Sequence, residues 1–424
     1  MQTPEISHEM VGGILLADAA GLYPGLELLN YIYGCPTDIL SDADAPTFVR
    51  VGHDFARRLV WDQDRFAADN MGSDAFVGED ASAVLAALLK CLQLPVPDRK
   101  SANWEAAHFF PYTRSLIHWD ARTRRSSARD SVRVERRYLR GGGALAHRVL
   151  RSDPDRDRRE TIRVGFRELM PDDASTPLDS LASVLSRYGA KTDAQVDPIE
   201  QQASPREDAL DGNFRNGIRS ILSHTDLSST ARVKAIMNWT GFWLAICQKN
   251  RSAGRLGTEP TSIVIDCGTG PGQLRRESAR ALKEIVATIV TAAQDCLPED
   301  ELLKTKSRQD LQGFFTRTCA WIGMLNAFTG RRYFVIGLDL VEALTLAHVQ
   351  ADAEISFENF TRVLYDNYGL VFGREAAART GALNRLDASI FEDNEAAFAT
   401  QLLTAGLMHA YSDATRMVGT GALK

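Results

Sequence analysis

The sequence predicts a mainly α-helical, multidomain chain with minor β structure, on three observations. Apolar residues recur at spacings of three and four through most of residues 10–92. Two later runs, Ser229–Lys249 and Leu311–Phe328, carry apolar faces so wide that a helix there is buried on most sides. Only at Ser262–Arg276 do an apolar β-like run, a glycine-rich turn and a helix start follow one another directly. With 424 residues, 44% of them apolar and 25% charged, the composition is that of a soluble globular protein with room for two to four domains.

An N-terminal helical domain is expected over residues 1–100. Its helices are Met10–Ala20, Leu26–Ile32, Asp54–Asn70 and Asp80–Leu92, with turns at Tyr23-Pro24-Gly25, Gly34-Cys35-Pro36 and Met71-Gly72-Ser73. Leu94-Pro95-Val96-Pro97 closes the block. Tyr31, Tyr33, Phe55, Trp61 and Phe66 fall at helical spacing and are assigned to the core. Asp18, Pro24, Glu27 and Asn30 interrupt the apolar run Val11–Tyr33, so it reads as core helix and not as a membrane span. Glu5 and Glu9 stand where a secretory signal has basic residues, and a cytoplasmic location with no membrane contact is the expectation.

Residues 101–169 change character. His108-Phe109-Phe110-Pro111-Tyr112 and His118-Trp119-Asp120 precede an arginine-rich run that ends at Gly141-Gly142-Gly143. From Arg114 to Arg163 there are 15 arginines and no lysine against 7 acids, a surplus of 8 positive charges in a chain of net charge −6. Planar guanidinium groups bind phosphate and carboxylate in pairs of hydrogen bonds, and interleaved aromatic rings stack on bases. Arg124, Arg125, Arg133, Arg136, Arg137 and Arg140 are therefore candidate phosphate contacts for nucleic acid, most simply DNA, or contacts for an acidic partner protein. A helix from Ser126 to Leu139 would place Arg133, Arg136, Arg137 and Arg140 on one face. The plain alternative is a solvated helix with ion pairs to Asp130 and Glu135. His108, His118 and Asp120 lack a third ligand at a recognisable spacing and are read as structural.

Asp153–Arg159 reads as an exposed polar turn, Thr161–Leu169 as a short strand or helix start, and residues 170–207 as a linker. A helical core is expected over 208–350. Within it Ile263–Ile265 read as extended, Gly268, Gly270 and Gly272 free the backbone, and a helix runs from Gln273 to about Asp295. The turn aims N–H groups at whatever lies above the helix start, and Arg275 and Arg276 add two charges there, so an anion is a possible ligand. The six cysteines form no C-x-x-C pair and read as buried hydrophobes, with Cys267 singled out for a test of reactivity.

Asp266, Gly268, Gly270 and Gly272 resemble the first motif of S-adenosylmethionine-dependent methyltransferases. Tyr333–Ala347 resembles that family's second strand, with Asp339 where the ribose-binding acid would stand. The resemblance implies an S-adenosylmethionine site made by these five residues. The spacing argues against it, since 73 residues separate the two acids where a βαβ unit has about 20. The structural alternative is a tight turn packing one helix against another.

The last segment, 351–424, reads as helix Phe357–Tyr368, an extended Leu370–Gly373, helix Glu375–Thr380, helix Phe391–Ala405 and a hairpin around Ser412-Asp413. This order resembles a winged-helix domain. The resemblance implies that Asn394–Thr404 is a recognition helix and Arg416 a wing contact. Glu392, Asp393 and Glu395 make that helix start acidic, which suits protein contact at least as well as DNA. The general look is also similar to accessory proteins of bacterial DNA-modification and phage-defence islands. No H-E-x-x-H, G-x-S-x-G or phosphate-loop motif is found, so no catalytic or metal-binding residue is assigned. The expectation is a non-catalytic nucleic-acid-binding or assembly component, with a methyltransferase and a protein-only scaffold as alternatives.

Overall fold

The computed structural model describes residues 1–17, 23–34, 39–42, 44–51, 60, 79–94, 108–117, 121–123, 132–134, 141–171, 176–180, 193–268, 272–412 and 415–421. Apart from residue 60, the expected helix Asp54–Asn70 lies outside them, as do Met71-Gly72-Ser73, His118, Asp120, Arg124, Arg125, Arg136, Arg137, Arg140 and Gly270.

The chain is mainly helical. In order the helices are α1 (Thr3–Val11), α2 (Tyr23–Gly34), α3 (Glu79–Cys91), α4 (Gly142–Arg151), α5 (Arg156–Leu169), the short α6 (Pro198–Gln202), α7 (Ala209–Ser223), α8 (Ser229–Arg255), α9 (Gly272–Asp295), α10 (Thr305–Trp321), α11 (Leu338–His348), α12 (Phe357–Tyr368), α13 (Arg374–Arg379) and α14 (Ala388–Thr404). The strands are short. β1 (Phe48–Val51) pairs antiparallel with β4 (Asp193–Val196), and β2 (Ala121–Thr123) with β3 (Val132–Val134). β5 (Ile263–Val264) pairs in parallel with β7 (Leu370–Val371). β6 (Ile355–Ser356), β9 (Thr415–Val418) and β8 (Met408–Ser412) form an antiparallel sheet in that order.

Helix α8 is the axis of the core. Ser228 caps it by accepting the N–H of Ala231 at 3.2 Å, and its 27 residues extend about 40 Å. Trp239, Phe242, Trp243 and Ile246 are buried, and α1, α2, α7, α9, α10 and α11 all pack on it, so its apolar surface is satisfied all round. The two buried indoles donate to Phe214 O and Leu210 O at 3.3 and 3.0 Å, which removes the cost of burying an N–H. Gly217 permits this approach of α7, because a Cβ there would lie 2.4 Å from the Trp239 ring. The same contiguous core takes in residues from Ile6 to Val418 and so runs through the segments expected as separate domains.

Several expectations are corrected locally. The first helix stops at Val11, not Ala20, because Gly12 turns the chain through a left-handed φ of 84°. Pro24-Gly25 opens α2 instead of preceding it, since proline's missing N–H costs nothing in a first turn. Of the expected helix Ser126–Leu139 only residues 132–134 are described, and they are not helical. Val132-Arg133-Val134 is a strand with Arg133 opposite Arg122, and its alternating β-branched residues suit a pleat better than a helix. Asp153 is buried and holds Arg158, while Asp155 caps α5, so that polar stretch is a structured helix start. The 170–207 stretch contributes β4 and α6, with Asp197 and Glu200 fully buried. In the last segment helix Phe357–Tyr368 forms at its expected bounds, the other two helices start one and three residues earlier than expected, and the extended piece at 370 and the paired strands of the hairpin form as well.

Lys249 on α8 is buried, and its ammonium donates to Thr261 O at 3.3 Å. Burial lowers its pKa from 10.5 to about 7. The unfolded chain therefore holds this proton up to about pH 10.5 and the folded chain only up to about 7. Stability falls as pH drops from the first value to the second and is then constant. Lys249→Met is expected to raise unfolding stability at pH 7 by on the order of a few kcal/mol, with the gain shrinking towards pH 10. Denaturant unfolding at both pH values measures it, and a gain independent of pH refutes it.

Candidate functional site

The site is built where three extended segments run in parallel. Ile263 N–H donates to Gly369 O at 2.8 Å and Ile265 N–H to Val371 O at 3.1 Å. On the other side Asp266 N–H donates to Phe334 O at 3.0 Å, and Asp266 bridges Val335 in parallel. Leu325 then pairs antiparallel with Phe334 and so begins a hairpin. The β-branched run Ile263–Ile265 is buried on both faces, as a strand covered by helices requires.

At the end of this strand the chain turns through Gly268, whose φ of 101° is a left-handed value that glycine adopts without strain. Asp266 is buried. Its Oδ1 accepts the Gly268 N–H at 3.0 Å and its Oδ2 accepts Arg275 Nε at 2.8 Å. The Arg275 guanidinium also lies 5.4 Å from the centre of the Tyr333 ring. Asn394 of α14 closes the turn from the opposite side. Its Nδ2 donates to Ile265 O at 2.9 Å and Phe372 O at 2.8 Å, and its Oδ1 accepts the Cys267 N–H at 2.8 Å. Gln401 Nε2 donates to Cys267 O at 3.3 Å.

The hairpin beside the turn spans Asn326–Tyr333. Asn326 accepts the Tyr333 N–H on Oδ1 at 2.9 Å, donates its own N–H to Tyr333 O at 3.2 Å, and donates from Nδ2 to Arg331 O at 3.3 Å. Its tip carries Phe328, 40% exposed and held edge-to-face against Trp321 at 5.2 Å. Arg331 is exposed and Arg332 half-buried; Arg276 is exposed on α9, next to Arg275. The side chains of Arg276, Arg331 and Arg332 make no hydrogen bond or ion pair among the described residues.

The predicted site residues fare unequally. Arg275 and Asp266 are brought together, each occupying the other. Gly272 begins α9, and Gly270 lies outside the described residues. Asp339 sits in the first turn of α11, paired with Lys234 at 2.6 Å, and it does not join Asp266. Arg416 pairs with Glu358 at 3.1 Å and covers the Phe357 ring at 4.4 Å. Asn394, the start of the expected recognition segment, is fully buried with Phe398 and Leu402, while the outer face carries Glu392 and Asp393. Cys267 is a buried hydrophobe, as expected: it is 4% exposed, and burial pushes its thiol up.

Much of the described part of the arginine surplus is used internally. Arg151 is fully buried and donates to Glu200 at 2.7 Å, to Thr47 Oγ1 at 2.5 Å and to backbone oxygens of Ser41, Asp42 and Ala45. Burial pushes the Glu200 pKa up, but the His147 imidazole 3.5 Å away, the hydrogen bond from Thr47 and the Arg151 charge outweigh it, holding the group at about 2. Arg158 pairs with Asp153 and Arg163 with Glu160. Arg133 lies on β3, opposite Arg122 of β2.

The sequence places Asn394 at the start of an expected recognition helix, Trp321 on a helix face and Thr329-Gly330-Arg331-Arg332 as a break that adds two charges, but not the clamp at Asn394 nor the hairpin. The signal for the tip was Phe328-Thr329-Gly330-Arg331-Arg332, a turn sequence between two apolar runs. No described group of His, Cys, Asp or Glu is arranged to hold a metal ion, and no described helix is long and apolar enough to cross a membrane. Comparison with protein-family models, curated proteins and solved structures finds no match.

Asn394 makes three hydrogen bonds in a dry setting. Asn394→Leu is expected to leave two carbonyls and one N–H unpaired and to cost about 2–4 kcal/mol, read from urea unfolding. A loss under about 0.5 kcal/mol refutes its closing role.

Proposed function

We propose that the chain is a non-catalytic nucleic-acid-binding component whose contact surface includes Arg275, Arg276 and the hairpin tip with Phe328, Arg331 and Arg332. The observation that carries the reading is that the side chains of Arg276, Arg331 and Arg332 make no hydrogen bond or ion pair among the described residues, while Arg114, Arg151, Arg158, Arg163 and Arg215 each have an internal acceptor. Unneutralised guanidinium groups beside aromatic rings suit a phosphate backbone, where each contact releases counterions. Arg124, Arg125, Arg133, Arg136, Arg137 and Arg140 form a second contact in this reading. Arg416, already paired with Glu358, contributes little, and the winged-helix-like tail with its acidic α14 face serves a protein partner.

Replacing Arg276, Arg331 and Arg332 together by Glu is expected to weaken retention on DNA at least about tenfold in a mobility assay at low salt. The slope of log affinity against log salt is expected to flatten by about 2, from roughly 0.7 per lost single-strand contact. Unchanged affinity refutes the reading. Arg133, Arg136, Arg137 and Arg140 replaced by Glu measure the second contact in the same assay. A protein-only scaffold predicts no binding to nucleic acid at low salt and a stable complex on purification from the native host.

A second reading, an S-adenosylmethionine-dependent methyltransferase, is favoured by one observation: the glycine turn follows the end of a strand paired in parallel on both sides, where open α/β sheets bind ligands. Against it, Arg275 occupies Asp266 and Asp339 is paired elsewhere. Calorimetry separates the two readings: micromolar binding of S-adenosylmethionine that is lost in Asp266→Ala establishes the second.

A further inference from the structure

We propose that the hairpin tip is a base-stacking element and that the nucleic acid it takes is single-stranded; this rests on the nucleic-acid reading above and names its substrate class. Phe328 is the reason. A large apolar ring 40% exposed at the end of a hairpin gains nothing in folding from its open surface. It is nevertheless held in place. Trp321 meets it at an interplanar angle of 74°, and Asn326 ties both arms of the hairpin through three hydrogen bonds. A ring fixed beforehand loses little freedom when a ligand stacks on it.

The neighbours of the ring select the ligand. Arg331 and Arg332 follow Phe328 within four residues and are free to neutralise phosphates, and Arg275 already lies over Tyr333, leaving Phe328 as the exposed ring at the tip. In a duplex the base faces are covered by their neighbours, so a protein ring stacks there only by prying a base step apart, which costs about a few kcal/mol. In a single strand each base presents a face, and one stacked base is worth about tenfold in affinity or more. The combination of an open ring with guanidinium groups a few residues away therefore favours unpaired bases. Phosphate charge alone would be met equally well by arginines without the ring.

Fluorescence anisotropy with a single strand of about 20 nucleotides and a duplex of the same sequence tests this on the full chain. The single strand is expected to bind at least about tenfold more tightly than the duplex, and Phe328→Ala to remove that preference with little change in salt dependence. Phe328→Trp is expected to retain it. Thermal unfolding of each variant, unchanged from the parent, shows that the surface substitution leaves the fold intact. If Phe328→Ala leaves both affinities unchanged while Arg331→Glu with Arg332→Glu lowers both, the stacking proposal is overturned and the nucleic-acid reading survives. If neither oligonucleotide binds at low salt, the nucleic-acid reading fails and this proposal with it.

Discussion

A single side-chain amide, that of Asn394, is the constraint on which the glycine turn and its surroundings depend. It donates to carbonyls at the ends of two adjacent parallel segments, Ile265 and Phe372, and accepts the N–H of Cys267 just past the first. Those backbone groups lie past the last sheet pairing and belong to buried residues. One rigid planar group satisfies all three, which fixes α14 against the strand ends and sets the direction in which the chain leaves for α9. Asp266 completes the turn from within by holding the Gly268 N–H and Arg275. The start of the turn thus meets the protein's own donors and acceptors.

Charge is partitioned in two ways. Arg151 and Glu200 are both fully buried, and such a pair stands only because every remaining donor on the guanidinium meets an oxygen of the 41–47 loop. That arginine is a structural tie between α4, α6 and the loop before β1. Arg276, Arg331 and Arg332 represent the opposite case, with side chains that make no hydrogen bond or ion pair among the described residues. The two kinds look identical in composition. What distinguishes them is whether a carboxylate reaches them from elsewhere in the chain, and Glu200, 49 residues beyond Arg151, could not be assigned to it from spacing.

Legibility in the sequence followed the range of the interactions. The helices of α8 and α10 were readable because their apolar periodicity is local, and so were the glycine turn and the order of elements after residue 351. The fault at Ser126–Leu139 came from counting arginines at helical spacing while Val132 and Val134 were marking a strand. The candidate surface was half legible: Arg275 and Arg276 were visible as charges at a helix start, whereas Phe328 looked like the end of a buried helix face. Its exposure results from α10 ending at Trp321, which frees the following residues to form a hairpin.

By itself the sequence determined the mainly helical class, the apolar faces and the position of the glycine turn, because each depends on residues within a few positions of one another. Tertiary structure alone decided that Asn394 is a buried clamp, that Arg275 is bound to Asp266, that Arg151 is a core residue, and that Arg276, Arg331 and Arg332 are left unpaired. Those outcomes turn on which distant acceptor each donor meets once the chain has folded, and no local pattern of residues carries that information.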